Sequence, residues 1–219
     1  MSKPLYRAIR AQQTDTTITV YQAYSPGIAE PAIKAGKFVS PFKRTRMTWI
    51  KPSFLWMAYR SGWASKPNQE RVLAIEITRA GFEWALRNSC LSHFDPSVYK
   101  DKQALEARAR STCIRVQWDP ERDFNFNPLP HRSIQIGLKD EAVDLYVDKW
   151  IVSIKDVTDL VCNISDLISL GRLDEARASL PKEMPYTIPD DIVSIIGSSI
   201  DPGGEPNIDD QESIKDFGA

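Results

Sequence analysis

Trp49, Trp56 and Trp63 recur every seven residues, with basic side chains interleaved among them. Across residues 31–69 the chain carries eight Lys and Arg residues and no Asp or Glu. Cations neutralise phosphates and aromatic faces stack on bases. Lys43, Arg44, Arg46, Lys51 and Arg60 therefore form a candidate RNA-binding surface. The plainer reading makes the tryptophans core residues and the charges a solvated face.

Three further residues are candidates for catalysis. Glu76 interrupts an apolar run, and a carboxylate in a buried strand needs a partner or a raised pKa. It is read as an acid or base, with a structural salt bridge to a residue such as Arg132 as the alternative. His93, two residues before Asp95, is a candidate general base in a segment that also suits helix-end capping. Ser53 follows Pro52 at the start of an expected helix, where its hydroxyl would stabilise an oxyanion or simply cap the helix. Asp119 and Glu121 beside Trp118, with Arg132 opening the next strand, suggest a pocket for a guanidinium or an amine.

Elements that position these residues are legible in the periodicity. Residues 16–21 read as a strand, and Ser25-Pro26 opens a helix that stops near Gly36, shortened to one or two turns by Pro31. Pro52 starts a helix that runs to about Ser61 and ends at Gly62. Residues 71–78 form the clearest strand, and 78–91 a helix with Phe82, Ala85, Leu86 and Cys90 on one face. Residues 101–110 form a polar helix; 113–118 and 132–138 alternate as half-buried strands, joined by a long loop over 119–131. Helices follow at 140–150, 156–170 and 173–180, with a short strand at 152–154.

Strands and helices mix without a βαβ rhythm, so the expected fold class is α+β. The expected architecture is one domain over 1–190, with a mixed or antiparallel sheet flanked by helices. A flexible, disordered acidic C-terminal tail is expected over 191–219, since residues 201–219 hold six acids against Lys215 alone. The 219 residues suffice for a substantial core. No apolar run approaches a membrane span, and no secretory signal is visible. Cys90, Cys113 and Cys162 lack metal-ligand spacing, so the expectation is a cytoplasmic protein with reduced thiols and no metal or cofactor. P-loop, Rossmann, zincin and α/β-hydrolase signatures are absent.

Several strings carry a family resemblance: Val-Tyr-Gln-Ala-Tyr-Ser-Pro (20–26), Arg-Met-Thr-Trp-Ile-Lys-Pro-Ser-Phe-Leu-Trp-Met (46–57) and Tyr-Arg-Ser-Gly-Trp (59–63). Gln-Glu-Arg-Val-Leu-Ala-Ile (69–75), Leu-Ser-His-Phe-Asp-Pro (91–96), Val-Gln-Trp-Asp-Pro-Glu-Arg (116–122) and Arg-Ser-Ile-Gln-Ile-Gly-Leu (132–138) belong with them. Over residues 6–190 the chain resembles the domain of unknown function 4291 family, which the fungal arginine-containing cyclodipeptide synthases resemble in turn. That resemblance implies an enzyme that joins arginine from arginyl-tRNA to a second aminoacyl group as a 2,5-diketopiperazine. Its partners would be two aminoacyl-tRNAs, and the activated esters would make ATP unnecessary. Tyr21 and Tyr24 join Trp118, Asp119, Glu121 and Arg132 as candidate substrate-binding residues. Two other classes stay open: an NAD-dependent transferase resembling ADP-ribosyltransferases, with Tyr6, Arg7 and Glu76 serving it, and a non-catalytic RNA-binding module.

Overall fold

The computed structural model describes residues 5–198. In chain order it forms β1 (Arg10–Ala11), β2 (Thr17–Tyr24), α1 (Pro26–Ala35), β3 (Thr48–Ile50), α2 (Phe54–Ser61), β4 (Arg71–Thr78) and α3 (Arg79–Arg87). Next come β5 (Ser89–Leu91), α4 (Lys102–Arg110), β6 (Ile114–Arg122), β7 (Pro128–Leu138) and α5 (Glu141–Leu145), which continues as a π-helical turn over Tyr146–Trp150. The chain then makes β8 (Ile151–Asp156), α6 (Thr158–Ser169), α7 (Leu173–Ala178), β9 (Met184–Pro185) and α8 (Asp190–Ile196).

The expected α+β class holds. One antiparallel sheet has the order β2-β4-β8; a mixed sheet has the order β3-β7-β6-β5, with β5 parallel to β6. β1 and β9 form a small third sheet. An isolated antiparallel bridge between Tyr21 and Lys51 ties the first two sheets together.

Alternation decides which faces are buried. Leu73, Ile75 and Ile77 on β4 pack with Ile114, Val116 and Trp118 on β6 and with Ile134, Ile136 and Leu138 on β7. Phe82 and Leu86 of α3 and Tyr146 of the π turn join this core. A second core lies under α6, where Val161, Ile164 and Leu167 meet Tyr21, Val72, Phe54 and Met57. The opposite face of β6 carries Arg115, Gln117, Asp119 and Glu121, none of which belongs to either core.

Four expectations are corrected. α1 runs its full ten residues despite Pro31, because Ala29 and Ala32 are completely buried. The hydrogen bond that proline removes falls near the exposed start at Gly27. Cys90 sits in β5 rather than on the α3 face, since the helix stops at Asn88. The supposed long loop over 119–131 is mostly β-hairpin. β6 continues to Arg122, and Pro120 is accommodated beside a bulge at a point where β5 no longer pairs with β6. Finally, a domain edge at residue 190 is too early, because α8 buries Ile192 and Ile196 fully. The expected tail from 199 onward lies outside the described residues.

Candidate active site

The site begins with β3 running directly into α2. Ser53 is the N-cap of that helix, and its Oγ accepts the Trp56 N–H at 3.1 Å. Gly62 ends the helix in the left-handed region at φ 59°, the conformation a helix C-terminus favours for glycine. Between strand and helix, Lys51 is buried, with only 4% of its surface exposed. Its Nζ lies 3.5 Å from the centroid of the Trp56 ring and 5.9 Å from that of Trp49.

Lys51 Nζ donates to Gln135 Oε1, and Gln135 Nε2 donates to Asp119 Oδ2 at 2.7 Å. Gln117 Nε2 donates to the other Asp119 oxygen at 2.8 Å. Burial drives the Lys51 amine well below its ordinary range, with Asp119 opposing the shift. Burial likewise raises Asp119, with Lys51 opposing. The two shifts bring the proton affinities of amine and acid closer together than in free solution.

Two more carboxylates meet at the start of α2. The Phe54 N–H donates to Glu183 Oε1 at 2.7 Å, and the Arg122 N–H donates to Glu121 Oε1 at 2.9 Å. Burial pushes Glu183 up to about 8, with the Glu121 charge adding to the rise. Burial also raises Glu121, while the hydroxyls of Ser53 and Ser133 facing it hold the pKa partly down. Tyr21, stacked edge-on against Phe54 at 5.6 Å, is raised by burial and then by Glu183. A niche of about 10 Å³, roughly the space of one water, is lined by Arg10, Glu121, His131, Arg132 and Ser133. Burial and then Arg10 lower the His131 pKa. The Trp56 indole N–H is buried without an acceptor among the described residues.

The structure thus brings together Lys51, Ser53, Tyr21, Asp119, Glu121 and Arg132 of the sequence-derived candidates. Lys51 differs from its expected place: it is enclosed by aromatic rings instead of lying on a phosphate-binding surface. Arg44 is also withdrawn, since Asp144 and Asp148 pair with it at 2.8 and 2.5 Å. Lys43, Arg46 and Arg60 remain exposed, Arg60 donating to Gln69 at 3.2 Å.

Other candidates lie apart from this centre. Glu76 accepts from the Ser153 hydroxyl at 2.7 Å within the β2-β4-β8 sheet and does not meet Arg132. His93 is exposed and pairs with Ser92 at 3.0 Å, whereas Asp95 is held by Arg7 at 2.5 Å and by Ser97. Trp118 turns to the core, its Nε1 donating to the Ile196 carbonyl at 2.7 Å. Tyr24 belongs to a buried network with Gln22 and Thr48, and burial raises it to about 12. Arg132 donates to the Tyr6 hydroxyl at 2.8 Å and lines the niche beside Glu121.

Glu183 and Gln135 were missed by sequence reasoning. Glu183 sits in a proline-flanked stretch without periodicity, and Gln135 reads as an ordinary outward residue of an alternating strand. No group of three His, Cys, Asp or Glu among the described residues is arranged to hold a metal ion. No described helix is long and apolar enough to cross a membrane.

These features define an α+β domain with a lysine–carboxylate centre on the polar face of its mixed sheet. The chain belongs to the family described as domain of unknown function DUF4291, whose model matches residues 8–186. A search of curated proteins gave no significant match.

Proposed function

We propose that this protein is a tRNA-dependent cyclodipeptide synthase that joins arginine from arginyl-tRNA to a second aminoacyl group. The supporting observation is the enclosed Lys51 amine, which shares Gln135 with Asp119 and lies on the sheet face that also carries Glu121. A basic amine and an acidic pocket are what such a reaction needs from a protein once the substrate is already an activated ester.

In this reading Lys51 takes the proton from the α-ammonium of one aminoacyl group, and Asp119 supports the resulting lysine cation. The freed amine attacks the ester carbonyl of the second group. A C–N bond forms, the C–O bond to the ribose breaks, and the ribose oxygen leaves with a proton. The remaining amine of the dipeptidyl ester then attacks its own ester carbonyl. Ring closure releases the second ribose hydroxyl and the diketopiperazine. Glu121 provides the carboxylate lining for a guanidinium, whose charge would draw the proton from the neighbouring Glu183, helped by stacking on Trp56 or Tyr59.

The test is to supply the purified protein with charged arginyl-tRNA and a mixture of other aminoacyl-tRNAs, and to examine the products by mass spectrometry. An arginine-containing 2,5-diketopiperazine that disappears on ribonuclease treatment is expected. A folded, tRNA-binding protein that forms none would overturn the proposal.

A further inference from the structure

An open depression of about 550 Å³ lies at the other end of the same sheet face. Arg108, Arg110, Arg115 and Lys139 line it, against the exposed carboxylates Asp140 and Glu141. Two of the four cations are fixed by neutral partners. Arg108 donates to the Ser89 and Arg87 carbonyls, each at 3.1 Å. Arg115 donates to the Ala109 carbonyl at 2.8 Å and the Thr112 carbonyl at 2.9 Å. Backbone carbonyls orient a guanidinium without cancelling its charge, so both side chains keep a held positive charge. Among the described residues, Arg110 and Lys139 have only long contacts of 3.8 Å to Glu106 and Asp140.

Register connects this depression to the catalytic candidates. Arg115 and Asp119 share one face of β6, four residues apart, which is about 13 Å at the rise of a strand. Level with Arg115, Gly137 stands opposite both Arg115 and Trp49, and the Gln117–Gln135 pair forms the next row toward Asp119. A Cβ at Gly137 would meet the Trp49 ring at 3.0 Å, so the indole lies directly over the glycine backbone. The face therefore carries cations beside a partly exposed aromatic ring at one end, a row of two glutamines next, and the half-buried carboxylates beyond.

We infer that this depression binds the phosphodiester backbone at the 3′ end of the tRNA, with Trp49 as a stacking surface for a terminal base. Phosphates meet Arg108, Arg110, Arg115 and Lys139, and the esterified amino acid reaches Asp119 and Glu121. The assignment rests on the tRNA-dependent reading above, and it moves the RNA surface from the segment around Lys43 and Arg44 to the loop after α4 and the end of β7.

The test uses an uncharged arginine tRNA transcript, with binding followed by fluorescence anisotropy across a salt series. Arg110 and Lys139 are exposed and hold no backbone, so the double variant R110E/K139E should keep the native circular-dichroism melt. It should weaken binding about tenfold or more and flatten the log–log salt slope by about 1.5. The control K34E/K155E makes the same charge change at exposed positions on α1 and β8 and should bind like the wild type. Equal weakening by both double variants, an unchanged slope in R110E/K139E, or no binding by the wild type would overturn the inference. The two proposals fail separately. Site-specific loss of tRNA binding in a protein that makes no diketopiperazine would leave this surface standing and remove the synthase. Full binding and turnover in R110E/K139E would do the reverse.

Discussion

Lys51 and Asp119 are joined through one amide: Gln135 accepts from the lysine amine with Oε1 and donates to the carboxylate with Nε2. The arrangement orients both groups without a direct contact, and it lies beneath the Trp56 ring, where water has little access. Burial pushes the amine down and the acid up, which narrows the gap between their proton affinities.

Replacing Lys51 by Met should lower turnover by about 100-fold or more, the range expected for loss of a general base. Asp119 then takes a proton, so the fold should survive. Removing both partners in K51M/D119N should be neutral or stabilising by about 1–4 kcal/mol, as for other buried ion pairs exchanged for matched neutral groups. Steady-state kinetics and urea unfolding check the two statements. A double variant that unfolds would show that the pair is chiefly structural.

Glu183 gives stability a pH dependence of definite sign. Its pKa rises from 4.5 to about 8 on folding. Between those values the folded state holds a proton that the unfolded chain has released, so this group's contribution to stability falls as pH rises from about 4.5 to 8. The lowered Lys51 acts in the opposite sense, which makes comparison with a variant necessary. Melting curves at pH 5.5 and 8.5 should show a Glu183→Gln protein gaining most at the higher pH. An unchanged difference between the two pH values would mean that Glu183 titrates normally.

Gly137→Ala should cost about 1–3 kcal/mol by overpacking. The new methyl would lie 2.9 Å from Met47 Sδ and 3.0 Å from the Trp49 ring, and the indole must lift from the sheet. Urea unfolding measures the cost, and Trp49 fluorescence in a background lacking the other tryptophans reports the displacement.

Arg44→Ala should cost no more than about 1 kcal/mol, because its partners Asp144 and Asp148 are well exposed to solvent. The salt dependence of tRNA binding should be unchanged, since the Arg44 charge is already neutralised. A flattened slope would restore Arg44 to the RNA surface.

Ending the chain at residue 189 should destabilise the domain by several kcal/mol. It would expose the pockets of Ile192 and Ile196, each worth about 1.5–3 kcal/mol. Trp118 would also lose its carbonyl acceptor on Ile196. Thermal melts of the truncated and full chains would decide the matter.

Local chemistry was enough to determine several elements of this protein. Arg71–Thr78 is a strand because β-branched and aliphatic residues run together there, and α2 lies between Ser53 and Gly62 because its cap and stop residues are adjacent in sequence. Asp119, Glu121 and Ser53 were legible as candidates for the same reason: each is an unusual polar group beside an apolar segment. Pairing across the chain decided what those residues meet. Lys51 reads as one more cation in a basic run until β3 aligns with β7 and sets it against Gln135. Glu183 acquires its raised pKa only when the segment after α7 comes back to the start of α2, 129 positions away in sequence. Burial and register are properties of contacts between distant segments, so a side chain's charge state in this site was decided by the tertiary structure, while its chemical type and its local backbone were already present in the sequence.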